Sequence, residues 1–231
     1  MSMNNIINEP VKEYLPGSEE KKSLLEEYNN QSNKKIEIPI IIGGERILTG
    51  DIGHCIAPHN HKKVLASYHK ADKETVDKAI KNSLDAWKDW SNTKIEERTT
   101  IFRKAATLLA GKWRNKINAA TMLNQSKNAH QAEIDAACEL IDFFNLNSSF
   151  AENINSKQDL ISPSDTKNYL EYRPLEGFVF AIAPFNFTSI AGNLPSAPAL
   201  MGNVSLWKPA SSAILACYYL MEMFQAAGQP D

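Results

Sequence analysis

Two stretches near the end of the chain, FVFAIAP (178–184) and NVSLWKP (203–209), decide the fold. Each is a short, nearly unbroken apolar run that stops at a proline, as a strand buried in a parallel sheet does. The residues between them read as a helix to about Met201. A second helix runs from Ser211 or Ser212 to Ala227, with Gly228 as its stop. The order β-α-β-α is the opening of a doubly wound parallel sheet, so the fold class is α/β. A third strand is expected after Gly228, yet the sequence ends at Asp231. Two strands alone leave an open edge and an uncovered apolar face, and the fold reads as incomplete.

Upstream of the first strand, SKQDLISPSDTKNYLEYRP (156–174) is polar, with strand-like stretches, and reads as an extended excursion. Before it come four helical segments. Asp72 is the expected N-cap of the first, in which Val76, Ile80, Leu84 and Trp87 recur at helical spacing. Thr93 to Glu96 has the spacing of a capping box and opens the second, through Phe102, Ala106 and Leu109. The third carries Trp113, Ile117 and Ala120. The fourth starts near His130, with Ile134, Ala137, Cys138 and Ile141 as one apolar stripe. Nearer the N-terminus, IEIPIIIGGERILTG (36–50) predicts a hairpin turning at Gly43-Gly44, and VLASYH (64–69) a short strand. A helix is expected from Ser18 to Asn29. The chain thus divides into an N-terminal extension (1–34), a hairpin and helical part (35–154), an excursion (155–176) and the start of a Rossmann-like sheet (177–231).

Composition narrows the function. Hydrophobic residues make up 43% of the 231 residues and charged ones 23%, the balance of a soluble globular protein. Basic residues are dispersed and the formal net charge is −2, so neither a nucleic-acid nor a membrane partner is expected. The start, MSMNNIINEPVKEYLPGSEEKK, has no apolar or Arg-rich targeting character, which points to the cytoplasm. The cysteines Cys55, Cys138 and Cys217 are odd in number and far apart, which fits a reducing compartment.

In an open α/β sheet, ligands bind beyond the carboxyl ends of the strands. Ala183 to Thr188 occupies that place after the first strand, and Lys208 to Ser211 after the second. No G-x-G-x-x-G fingerprint follows either strand. Lys208 lies where the ribose-binding acid of a dinucleotide site is usually found, about twenty residues past the first turn. It reads either as a ribose donor or as a solvated strand-end lysine. Asn186 reads either as an amide donor to an oxyanion or as an ordinary turn residue.

The stretch PFNFTSIAGNLPSAPALMGNVSLWKPASS (184–212) resembles the aldehyde dehydrogenase superfamily, with its Pro-(Phe/Trp)-Asn-Phe turn and its downstream Lys-Pro pair. A closer resemblance is to the Δ1-pyrroline-5-carboxylate dehydrogenases, which oxidise glutamate γ-semialdehyde. It is carried by NEPVKEYLPGS (8–18), QSKNAHQAEIDAACELIDFFNLN (125–147), YRPLEGFVFAIAPFNFT (172–188) and GNLPSAPALMGNVSLWKP (192–209). The resemblance implies that Asn186 stabilises the oxyanion and that Phe187 and Glu139 lie on the substrate side. Ala183, Lys208 and Ser211 would contact the cofactor. An acidic, solvated helix face of Asp135, Glu139 and Asp142 is the alternative reading of Glu139. NAD is favoured; Ser211 leaves room near the ribose, so NADP stays open. The resemblance also implies a small-molecule semialdehyde substrate, a homo-oligomer when complete, and a mitochondrial matrix location in a eukaryote. Subunit contacts are expected from the hairpin near Gly43 and from the excursion.

The family's catalytic cysteine, general-base glutamate and Gly-rich cofactor turn are expected beyond Asp231, so the chain reads as an N-terminal fragment. Cys138 and Cys217 read as small core residues. The pattern H-C-x₃-H-x-H at 54–61 invites a metal reading, but relatives carry a polar, proline-containing loop there and no metal is expected. Rival readings are oxidation of another semialdehyde and a non-catalytic assembly fragment.

Overall fold

The computed structural model describes residues 6–230; the first residues of the polar N-terminal stretch, 1–5, and Asp231 lie outside the described residues. Helix α1 (Glu19–Ser32) is capped by the Ser18 side chain, which accepts from the Lys21 N–H. Three short strands follow: β1 (Ile36–Ile38), β2 (Ile40–Ile42) and β3 (Glu45–Ile47). The expected hairpin joins β2 to β3. Its turn needs positive φ at both central residues, and Gly43 (56°) and Gly44 (79°) supply it. The first apolar run is broken at Pro39, however, and β1 leaves the hairpin. It becomes an edge of a second sheet with β4 (Ile52–Ala57) and β5 (Asn60–His69), in the order β1-β5-β4.

Cys55 is therefore on a strand and not in a polar loop. Gly53, Cys55 and Ala57 face inward and are small, while His54 and Ile56 face out, so no large apolar alternation reveals β4. The same alternation points His54 away from Cys55 and dissolves the apparent metal pattern.

Helix α2 (Lys73–Trp90) begins as expected, with Asp72 accepting from the Thr75 N–H at 2.8 Å. Its buried face is Thr75, Ala79 and Ser83; Val76 and Leu84 of the apolar stripe are exposed. Helix α3 (Ile95–Ala110) starts without a capping box, because the Thr93 hydroxyl donates back to the Asp89 carbonyl. Helix α4 (Arg114–Gln125) ends at Ser126, whose φ of 56° is left-handed.

A capping box that the sequence reading did not identify, Asn128 with Gln131, opens α5 (Ala129–Ala132). The helix then widens through a π turn, Glu133–Cys138, before resuming as α6 (Glu139–Ser156). Within the turn the Glu139 N–H reaches back five residues to the Ile134 carbonyl. The extra residue throws 3.6-residue spacing out of phase. Ile134 faces outward, and the expected single stripe fails there; Glu133 and Asp135 are buried instead.

No helix or strand occupies 157–177, so the strand-like stretches of the excursion do not pair. Side chains tie it locally: the Leu170 N–H donates to Gln158 and the Asn168 N–H to Ser162. Next come β6 (Phe178–Ile182), α7 (Thr188–Leu200), β7 (Val204–Lys208), a 3₁₀ turn at Ser211–Ala213, and α8 (Ile214–Ala227). Strands β6 and β7 pair in parallel from Phe178↔Val204 to Ile182↔Lys208, as expected. Gly228 ends α8 at φ 97°. The core sits between α3, α4, α6 and α8, around Phe102, Leu123, Leu140, Phe144, Leu220 and Phe224. Helix α7 approaches it closely at Gly192, where a Cβ would lie 2.9 Å from Leu140 Cδ2.

A buried charge network anchors the N-terminal arm. Glu133 pairs with Arg114, which also pairs with Glu9 and donates to the Pro10 carbonyl at 2.9 Å. The Tyr14 hydroxyl (2.6 Å), the Lys12 N–H (2.8 Å) and Asn118 (2.8 Å) complete the shell around Glu133. Burial opposes ionisation of Glu133, but the Arg114 guanidinium and the Tyr14 and Lys12 donors prevail and hold its carboxyl below the usual range. Glu133→Gln leaves Arg114 buried and half-paired, so unfolding in urea is expected to show a loss of about 3 kcal/mol. A carboxyl with a depressed folded pKa contributes stability above its unfolded value and loses it as pH falls through the folded one. Wild-type stability should therefore fall below about pH 4.5, and Glu133→Gln should flatten that part of the profile.

Candidate active site

The ladder between β6 and β7 ends with Ala183, whose N–H donates to the Lys208 carbonyl at 3.1 Å. Pro184 then halts the strand, and the chain turns through exposed Phe185, Asn186 and Phe187 into α7. Asp135, from the π turn, caps that helix. Its carboxylate accepts from the Thr188 N–H (3.3 Å), the Ser189 N–H (3.4 Å) and the Ser189 hydroxyl (3.0 Å). The Ser189 hydroxyl also lies 2.5 Å from Glu139 Oε2. Thr188 is buried against Thr121 (2.8 Å) and Gln125 (2.7 Å).

Lys127, from the link between α4 and α5, closes the arrangement. It pairs with Asp135, donates to the Asn186 carbonyl at 2.7 Å, and lies 4.4 Å from the Phe187 ring centroid. The main chain of Asn186 is thus held while its side-chain amide is exposed and unengaged among the described residues. A donor aimed at solvent from a tethered turn is the arrangement an oxyanion site needs before substrate arrives.

Of the residues singled out in the sequence, Ala183, Asn186 and Phe187 share this turn, and Glu139 reaches it through Ser189. Lys208 and Ser211 lie at the end of the adjacent strand, where Lys208 pairs in register with Ile182. Both are exposed, and neither side chain is engaged among the described residues. An unpaired ammonium and a hydroxyl at the carboxyl edge of a parallel sheet fit the diol of a nucleotide ribose. The alternative reading of Glu139, a solvated acidic face with Asp135 and Asp142, does not hold as a face: Asp135 is 4% exposed and works inward, while Glu139 and Asp142 are partly buried. Lys127, Asp135 and Ser189 were not selected from the sequence, because their roles depend on the π turn.

None of the three cysteines lies open beside Asn186. Cys55 accepts from the Asn124 amide at 3.0 Å, Cys138 contacts Arg114, and Cys217 packs with Ala183 and Ala191. Burial pushes every thiol up, Cys138 and Cys217 to about 12. Buried neutral thiols are poor nucleophiles. Among the described residues, no cluster of three or more His, Cys, Asp or Glu could hold a metal, and no helix is long and apolar enough to cross a membrane.

Residues 49–231 match the model of the aldehyde dehydrogenase family. The chain belongs to the aldehyde dehydrogenase family. A probable delta-1-pyrroline-5-carboxylate dehydrogenase of Schizosaccharomyces pombe is 45% identical over 97% of the chain, which covers 41% of that protein. The human mitochondrial delta-1-pyrroline-5-carboxylate dehydrogenase is 44% identical over 97% of the chain and 40% of its own length. A Mycobacterium tuberculosis delta-pyrroline-5-carboxylate dehydrogenase solved with NAD superposes with a TM-score of 0.95 at 46% identity, over 97% of this chain and 42% of that one. A 1-pyrroline-5-carboxylate dehydrogenase from Thermus with bound NAD gives 0.90 at 26% identity, over 100% and 44%. The chain therefore spans about two fifths of the length of the relatives it matches.

Burial and the raised pKa values make all three thiols of the chain unreactive while it is folded. A thiol reagent at neutral pH should label none of the three within minutes in the folded chain and all three in denaturant. Rapid labelling of Cys217 in the folded chain would contradict the packing beneath Ala183.

Proposed function

We propose that, at the length of its relatives, this protein is an NAD-dependent dehydrogenase that oxidises glutamate γ-semialdehyde, the open form of 1-pyrroline-5-carboxylate, to glutamate. The observation that carries the reading is the Asn186 turn, with its amide unengaged at the end of β6 beside Lys208 and Ser211, in a chain about 45% identical to dehydrogenases of that name. In this reading a cysteine outside the 231 residues attacks the aldehyde carbon. Asn186 Nδ2 donates to the oxygen as it becomes an alkoxide, a contribution of about 3 kcal/mol to the barrier. Oxidation of the resulting thiohemiacetal gives a thioester, and water releases glutamate and restores the thiol. NAD, when bound, accepts the hydride.

The remaining roles are those the resemblance implies, and the positions of the residues are compatible with them. Lys208 and Ser211 hold the adenosine ribose, and the Ala183 main chain lines the cofactor side. NAD is favoured because relatives are solved with it bound, and Ser211, small and uncharged, would not repel a 2′-phosphate, so NADP also fits. Phe187 packs against the aliphatic part of the substrate, and Glu139, oriented by Ser189, borders its entrance. The exposed apolar residues of the excursion, among them Ile161 and Leu175, support the reading of 155–176 as a subunit contact in a homo-oligomer.

The test is NADH formation from 1-pyrroline-5-carboxylate. The protein at its relatives' length should form NADH, and Asn186→Ala should lower kcat by about 10²- to 10³-fold with little change in the KM for NAD. The 231-residue chain alone should form none. NADH from the chain alone, or an undiminished kcat in Asn186→Ala, would overturn the reading.

A further inference from the structure

The Asn186 turn has little packing of its own. Phe185 and Phe187 on either side are exposed, and Pro184 has ended the strand. A donor that must meet a developing charge cannot be left to sample directions; a displacement of about 1 Å costs up to about a hundredfold in rate. What restrains the turn is an ion pair contributed by other elements. We propose that Lys127 and Asp135 are positioning residues that together aim the Asn186 amide.

Asp135 takes one end of the turn. Buried to 4% exposure, it accepts the first two N–H groups of α7 and the Ser189 hydroxyl, at the positive end of a helix 13 residues long. Lys127 takes the other end through the Asn186 carbonyl. Because Lys127 also pairs with Asp135, the two ends are bound to each other through one ammonium. The peptide that follows Asn186 is thereby fixed at its oxygen, and the backbone direction sets where the side chain leaves it. The ammonium's third direction meets the Phe187 ring, so the neighbour on the substrate side is held by the same group. Neither residue touches the reacting atoms; both act through Asn186.

This inference rests on the reading of Asn186 as oxyanion donor, and a double-mutant cycle separates the two. In the protein at its relatives' length, Lys127→Met should lower kcat about tenfold to a hundredfold while the KM for NAD stays within about twofold. Lys127→Arg, which keeps the charge and its donors, should recover most of the loss. Asp135→Asn, which retains an acceptor for the α7 amides but breaks the ion pair, should resemble Lys127→Met. In an Asn186→Ala background, Lys127→Met should have no further effect, because the group it positions is gone. Independently of turnover, hydrogen exchange at the Thr188 and Ser189 amides should quicken in Lys127→Met. If Asn186→Ala lowers kcat but Lys127→Met does not, or if the two losses multiply, the inference fails and the site reading stands. If Asn186→Ala leaves kcat unchanged, the site reading falls and the inference with it.

Discussion

The π turn at Glu133–Cys138 is the constraint on which both halves of the structure depend. It sits between α4 and α7 and turns two carboxylates into the protein on either side of exposed Ile134. Glu133 binds Arg114 and, with it, the arm from Glu9 to Tyr14. Asp135 binds Lys127 and the start of α7. One irregular turn thus couples the N-terminal arm to the turn that carries Asn186. A regular helix could not keep the apolar spacing of α6 and also supply both carboxylates, since one residue more per turn is what separates the two registers.

Burying two carboxylates is costly unless each is paired and its remaining lone pairs are filled. Glu133 meets this condition fully: a guanidinium, a phenol, an amide and a backbone N–H surround it. Asp135 meets it through Lys127, two backbone N–H groups and a hydroxyl. The difference lies in what the partners do next. Those of Glu133 end in the core and in the arm, so its contribution is to stability. Those of Asp135 end at an exposed turn, so its contribution reaches the site.

Sequence and structure agree where a residue's local chemistry is enough. The strands at 178–182 and 204–208, the Gly43-Gly44 turn, the Asp72 cap and the Gly228 stop all follow from short-range rules. They fail where tertiary packing chooses the face. Strand β4 hides behind small inward residues, the Thr93 box gives way to a backbone acceptor at Asp89, and Val76 and Leu84 face out. Asn186 and Lys208 stand out in the sequence because strand ends are where ligands bind in such sheets, but residue type left each open to an ordinary turn or strand-end reading, and their roles are those the resemblance implies. Lys127 and Asp135 do not stand out, because a wide helical turn leaves no pattern in residue type and their partners lie some 50 to 60 residues away.

The distribution of donors and thiols then follows from one division of labour. At the carboxyl ends of β6 and β7 the side chains of Asn186, Lys208 and Ser211 are exposed and, among the described residues, unengaged, whereas the three thiols are enclosed by helices and strands and kept neutral. A scaffold that packs its own cysteines as small apolar residues presents no competing nucleophile beneath the turn. Cys217 makes the point most directly, since it lies against Ala183, the last residue of the ladder, and its burial helps to hold that strand end in place. The chain therefore presents exposed polar side chains at the strand ends over a floor packed with small apolar residues.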